Sequence, residues 1–370
     1  MAELKDLIKR ELESRDERTS KRNVTLKDEI NFRELDMLEE SPNTQPNFDK
    51  ITTEKIFNRF ALDPNEVYEE SLHHMRGIIA KIKDGGYFKI DKLFTIAEKI
   101  IDSLQSYEPA LHKYLNGQKE NSLLIKFYSI EQSLDDMAVH CVNVAVLAID
   151  IGIGLKYEKE RLIQVGVAAF LHDIGMCKIP SSIIYKPGLL SQKEYDIVKR
   201  HPEYGLEILT NLGEEHAWLK KTILQEHERS NGTGYLKGIK GEDIHEYAKI
   251  IGIADVYEAL SHSRPYRGYL LPHHAMKEIM KETKEGVFSS HILKALIERL
   301  SIFPLYSIVK LNSGAIGRVI ETNKSYPLSP TIETLVDPQG KKMKERDIIK
   351  LANEPLLHIS EAIDKRDIPE

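Results

Sequence analysis

The chain has 370 residues, of which 41% are hydrophobic and 30% charged, and it carries a net charge of -6. That length allows two or three compact units with a real core. The acidic balance argues against a nucleic acid polymer as main partner, because such proteins carry a basic excess. Only Cys141 and Cys177 occur, so no disulfide framework is expected and a reducing cytoplasm fits. The charged start MAELKDLIKRELESRDERTSKR does not read as a signal peptide. No apolar run reaches the roughly 20 residues that span a bilayer, and no membrane association is expected. The longest run, Val142 to Leu155, is broken by Asn143, Asp150 and two glycines and reads as a buried helix.

In chain order, residues 1–64 are polar and charge-dense. Leu4, Leu7, Ile8 and Leu12 mark one face of a short helix, the segment is expected either to be partly disordered or to pack only in a homodimer, and Ser41 to Asn47 reads as loop. Residues 65–125 are expected to form a helical N-terminal domain. Val67, Leu72, Ile78, Ile79 and Ile82 recur near a period of 3.6, Gly85-Gly86 ends that helix, and Leu93, Ile96, Ile100, Ile101 and Leu104 form a second stripe. Residues 126–302 continue as helices and hold most of the suggestive histidines. Residues 303–370 read as a small β-rich appendage. SIVKLNSGAIGRVIE and TIETLVDPQGKKM each place strand-like runs around a turn, and a final helix is expected near His358 to Ile363.

The chemistry concentrates in the third segment. In DDMAVHCVNVAVLAID, Asp136 and His140 are four residues apart and share a helical face. Taken alone, a histidine among valines is more often a hydrogen-bonded core residue than a ligand. In AAFLHDIGMCKIP, His172 and Asp173 follow an apolar run, and Gly175 and Pro180 suggest a helix ending at a pocket. His201 precedes Pro202, which suits the first turn of a helix. Glu226, His227 and Glu228 sit at the end of a helix beginning near Trp218, just before a glycine-rich loop; on their own they would read as a solvated face. Asp255 follows the apolar run IIGIA, where an acid is costly unless paired or bound to metal. Four histidines and up to four carboxylates in one helical segment make the ligand mixture of a multi-metal hydrolase.

The order of these motifs resembles the HD-GYP family of the HD superfamily, bacterial phosphodiesterases that hydrolyse cyclic di-GMP. The resemblance covers about residues 126–300: His140, His-Asp, His-Pro, the pair before the glycine-rich loop, Ala-Asp and RPYR. It implies a mainly α fold, an all-helical HD-superfamily bundle with a helical N-terminal region and a small β-rich appendage. It implies two or three divalent metal ions. One would be held by His140, His172, Asp173 and Asp255, a second by the bridging Asp173 with His201, Glu226 and His227, and Asp136 aligns with an acidic position that helps hold a third. Arg264 and Arg267 match positions that contact the substrate phosphates, a task suited to the planar guanidinium fork. The implied reaction is attack by a metal-bridged hydroxide on cyclic di-GMP, giving linear pGpG or GMP.

Three departures stand out. Glu226 occupies the first position of a histidine pair, which adds charge and hardness and points to iron or manganese. Met176 stands where the family has a phosphate-contacting lysine, leaving Lys178 as the nearest cation. The loop reads NGTGYL instead of DGxGYP, which bears on recognition of a signalling partner through residues 231–236 more than on metal binding. The missing lysine and histidine keep open an alternative, a catalytically weak module that binds a cyclic dinucleotide or a partner protein. His73, His74, His216, His245, His262, His273, His274 and His291 lie outside the motif order and are expected in solvated or core roles.

Overall fold

The computed structural model describes residues 63–107, 137–262, 270–364 and 368. The polar segment with its expected amphipathic helix, Asp136, Arg264 and Arg267 lie outside the described residues.

Helix α1 (Pro64–Lys83) starts on Asp63, whose carboxylate accepts from the Asn65 amide, with Pro64 in the first turn. It stops where Gly85 takes φ of +71°, a conformation that favours glycine. Helix α2 (Asp91–Tyr107) follows. Their apolar stripes are buried as the periodicity requires. They do not form a core of their own, however. Helix α1 packs on α2 and on α3 (Met137–Gly154), α2 packs on α3 and α4 (Lys159–Leu171), and all four share one hydrophobic cluster with the helices that follow. An amphipathic pair has one face to bury, and here the apolar surfaces of α3 and α4 receive it. Among the described residues, α3 has the length and composition to cross a membrane, but 78% of that stretch is buried inside the protein.

A 3₁₀ turn (Ile174–Lys178) leads to α5 (Ser181–Ile184), α6 (Gln192–Val198) and α7 (His201–Ile208). Then come α8 (Ala217–Gln225), α9 (Glu246–Ser261), α10 (Pro272–Lys284) and α11 (Ser290–Leu300). Helices α3 and α9 are buried on nearly every side, which is why their sequences read as continuous apolar runs.

The C-terminal segment is an antiparallel sheet of β1 (Ile308–Leu311), β2 (Ile316–Glu321), β3 (Thr331–Val336), β4 (Ile348–Lys350) and β5 (Ile359–Ile363), in the order β4-β3-β2-β1-β5. The β1–β2 hairpin turns at Gly314, φ +92°, as the Asn-Ser-Gly signal indicates. The final helix expected near His358 to Ile363 is instead β5, paired with β1 through Ile308↔Ile363 and Val309↔Ala362. Glu361 and Ala362 are tolerable in a short helix, but the free edge of β1 offers ladder partners that an isolated turn of helix lacks. Strand β5 buries Ile359 and Ala362 in return.

His273, expected in a solvated or core role, is buried in α10 with its ring stacked on Phe303 at 5.7 Å. Its Nδ1 has no hydrogen-bond partner. Burial, with His274 and Lys277 nearby, pulls its pKa down to about 3. The unfolded chain therefore takes up this proton first as pH falls below about 6.5, and stability drops between that pH and 3. His273→Phe, which keeps a ring against Phe303, should lose about 2 kcal/mol less stability than the parent between pH 7 and pH 5. Urea denaturation of both proteins at the two pH values measures this, and equal losses would refute it.

Candidate metal centre

The site forms where helix ends meet. His140 lies in the first turn of α3, and Asp255 in the third turn of α9. His172 caps the C-terminus of α4, and Asp173 begins the 3₁₀ turn. His201 opens α7 ahead of Pro202. Glu226 caps the C-terminus of α8, with His227 next. Helix ends place these side chains on short, rigid leads from the core.

Two groups of donors result, each with ligand atoms within 4.8 Å of one another: Asp173, His201, Glu226 and His227 in one, and His140, His172 and Asp255 in the other. Asp173 faces both. Its Oδ1 is 3.2 Å from His201 Nε2, while its Oδ2 is 3.5 Å from His140 Nε2 and 3.8 Å from His172 Nε2. His140 Nε2 is also 3.2 Å from Asp255 Oδ1. His172, His201, Glu226 and His227 are buried, whereas the side chains of His140, Asp173 and Asp255 are 14%, 20% and 17% exposed. The centre therefore reaches solvent on the side of His140, Asp173 and Asp255.

The hydrogen bonds of the histidine rings suit a site that could hold a cation. His172 Nδ1 donates to the Ala169 carbonyl at 2.7 Å, and His201 Nδ1 donates to the Val198 carbonyl at 2.9 Å. In the neutral ring the Nε2 of each is then a bare lone pair. His201 Nε2 nevertheless lies 3.1 Å from His227 Nε2 and 3.4 Å from Glu226 Oε1. Both Glu226 oxygens and His172 Nε2 are buried without a hydrogen-bond partner. These side-chain atoms converge on one point, and together they could hold a divalent cation. The titration shifts agree. Burial, aided by Asp173 and Asp255, pushes the Glu226 carboxyl well up. Burial and then His201 push His227 well down. Burial opposes ionisation of Asp173, yet His172, His140 and His201 hold its carboxyl well below the usual range.

The glycine-rich loop is tied to this centre. The Glu228 carboxylate accepts from the amides of Lys237 and Ile239, and the Tyr235 amide donates to the His227 carbonyl. The Tyr235 ring stacks on His227 at 4.7 Å. A Cβ on Gly234 would meet the His227 carbonyl oxygen at 2.3 Å, so this close approach requires glycine.

The seven expected ligands that fall within the described residues thus come together. Lys178 does not join them: it is exposed, and its ammonium donates to Glu207 at 2.7 Å. Met176 packs on a small apolar cluster of Ile179, Ile183 and Val198. Sequence reasoning missed Glu258, a buried carboxylate whose Oε2 is 2.6 Å from His140 Nδ1. The signal was available, since Glu258 lies three residues from Asp255 on the same helical face.

Comparison with known proteins agrees with this geometry. A family model described as HD domain matches residues 105–291, and one described as KOW domain associated with HD domain matches residues 308–370. Cyclic di-GMP phosphodiesterase PA4108 of Pseudomonas aeruginosa is 28% identical over 228 residues, 62% of this chain and 55% of that protein. Cyclic di-GMP phosphodiesterase PdeB of Borreliella burgdorferi is 30% identical over 215 residues, 57% of this chain and 56% of that one. The 3'3'-cGAMP-specific phosphodiesterase 2 of Vibrio cholerae is 35% identical over 168 residues, 45% of this chain and 31% of that one. The chain spans a little over half the length of the first two relatives. With a family model matching half of the chain, the chain belongs to the HD domain family.

Proposed function

We propose that this protein is a metal-dependent phosphodiesterase that hydrolyses cyclic di-GMP or a closely related cyclic dinucleotide. The observation that carries the reading is the convergence of seven donor side chains on one centre, with the two oxygens of Asp173 turned to the two groups. Asp173 is the bridging ligand in this scheme, with His140, His172 and Asp255 on one side and His201, Glu226 and His227 on the other. Divalent ions held there supply positive charge to the phosphodiester and bring the ionisation of water near neutral pH. The extra carboxylate of Glu226 favours iron or manganese. Arg264 and Arg267 are assigned to the non-bridging phosphate oxygens, as the RPYR motif implies. Water oxygen adds to phosphorus, the bond from phosphorus to O3′ breaks, and a proton ends on O3′. The product of one cut is linear pGpG, and a second cut gives GMP. Manganese- or iron-loaded protein incubated with cyclic di-GMP, cyclic GMP-AMP and cyclic di-AMP, with products separated by chromatography, tests this reading. No linear product from any of the three would overturn it.

One observation favours a second reading, a weak enzyme that acts mainly as a binding module. Met176 is packed on an apolar cluster and Lys178 is engaged with Glu207, so neither supplies a cation to the phosphate. A charge-assisted hydrogen bond contributes roughly 1.5–3 kcal/mol, about a tenfold to hundredfold effect. Met176→Lys is accordingly expected to raise turnover about tenfold or more. Unchanged turnover in a folded Met176→Lys protein would show that this position does not limit the rate.

A further inference from the structure

Beyond the ligands, a chain of buried polar groups runs from the metal centre to the N-terminal helix. Glu258 is 4% exposed and lies one turn after Asp255 on α9. It divides its two oxygens. Oε2 lies 2.6 Å from His140 Nδ1, and Oε1 accepts from Asn143 Nδ2 at 3.2 Å. Asn143, on α3, is fully buried, and its Oδ1 accepts from the Tyr68 hydroxyl at 2.7 Å. Tyr68 is a buried residue of α1, 75 positions away in the chain from Asn143.

The direction of each bond is set by chemistry. A carboxylate only accepts, so His140 Nδ1 carries a proton toward Glu258, and Nε2, which faces Asp173 and Asp255, is the nitrogen that a cation would take. The Tyr68 hydroxyl occupies the Asn143 oxygen, which turns the Asn143 amide nitrogen toward Glu258. Two bonds thus run from Tyr68 to Asn143 to Glu258, and the carboxylate accepts the third from His140 on its other oxygen. His172 and His201 are oriented by backbone carbonyls three residues back. Among the described ligands, His140 has a charged carboxylate in that position. Partners behind a ligating imidazole typically change metal affinity by about 10–100-fold when removed.

We propose that Glu258 is a positioning residue for the His140–His172–Asp255 metal site, and that Tyr68 on α1, acting through Asn143, holds Glu258 in register. Helix α1 thereby sets the affinity of one metal site and not the other. The inference rests on the metal-centre reading and is independent of which dinucleotide is cleaved.

The test is manganese titration of the metal-stripped full-length chain by calorimetry, with thermal unfolding of the metal-free proteins alongside. The parent is expected to show two sites. Glu258→Gln, which keeps the shape but loses the charge, should weaken one site about tenfold. Glu258→Ala should weaken the same site about a hundredfold, and Tyr68→Phe, which removes one oxygen, a few-fold. The site of Asp173, His201, Glu226 and His227 should keep its affinity in all three. A purely structural role would lower the unfolding temperature without separating the two sites. Two sites of parental affinity in Glu258→Gln and Tyr68→Phe would overturn the proposal, as would equal weakening of both sites. A parent that binds no manganese would overturn the metal-centre reading itself, and this inference with it.

Discussion

Asp173→Asn is expected to reduce bound metal from two ions to less than one and to lower turnover of cyclic di-GMP by at least about a thousandfold. Asparagine keeps the shape of the side chain but replaces one carboxylate oxygen with an NH₂ that has no lone pair to offer. In the folded protein those two oxygens serve opposite sides: Oδ1 faces His201, and Oδ2 faces His140 and His172. Either orientation of the asparagine therefore leaves one group of donors without its shared ligand, and both orientations remove one negative charge. Lewis-acid stabilisation is worth several kcal/mol per ion, and each 1.36 kcal/mol is tenfold in rate, which gives the thousandfold figure. Metal-free stability near neutral pH should fall, because the ionised Asp173 carboxylate is held by His172, His140 and His201 and asparagine cannot replace that charge. Metal analysis of anaerobically purified protein, with a turnover assay on the same sample, checks the prediction. Two bound ions and turnover within tenfold of the parent would sink the bridging role.

Gly175→Ala should lower the unfolding temperature by about 5 °C and separate His201 from Asp173. A Cβ at position 175 would lie 1.8 Å from the His201 carbonyl oxygen and 2.5 Å from the Gly205 amide nitrogen. Both are backbone atoms of α7, so relief requires moving that helix off the 3₁₀ turn. Overpacking of this kind costs about 3 kcal/mol, and 1 kcal/mol shifts the midpoint of a chain this size by about 1–2 °C. Because His201 is the first residue of α7 and Asp173 begins the turn, the same displacement should also lower occupancy of the His201 site. Gly77→Ala is the matched control. Gly77 lies in an exposed turn of α1 with nothing within 4 Å of its Cβ position, and alanine there should stabilise by about 0.5–1 kcal/mol. Similar melting of the Gly175→Ala protein and the parent would mean that α7 has slack at this contact.

The seven candidate donors within the described residues were legible in the sequence through their order along the chain more than through any one local context. His172 and Asp173 follow the apolar run of α4, His201 precedes a proline in the first turn of α7, and Glu226 and His227 lie between a helix and a glycine-rich loop. Helix stripes were legible because a period of 3.6 is a local property. Four things were decided only by tertiary structure. Sharing of one core by α1, α2 and the rest depends on which faces meet, and a stripe does not name its partner. The last segment became β5 because β1 offered a free edge about 50 residues back, which outweighs the weak helical preference of Ser360 to Ile363. The fate of Lys178 was set by Glu207, 29 positions away. The link from Tyr68 through Asn143 and Glu258 to His140 spans three helices, so no spacing in the sequence encodes it. Residue type and local period determine which groups can ligate and where helices run. Long-range packing determines which way each group faces, because burial leaves every polar atom to find a partner wherever the fold brings one.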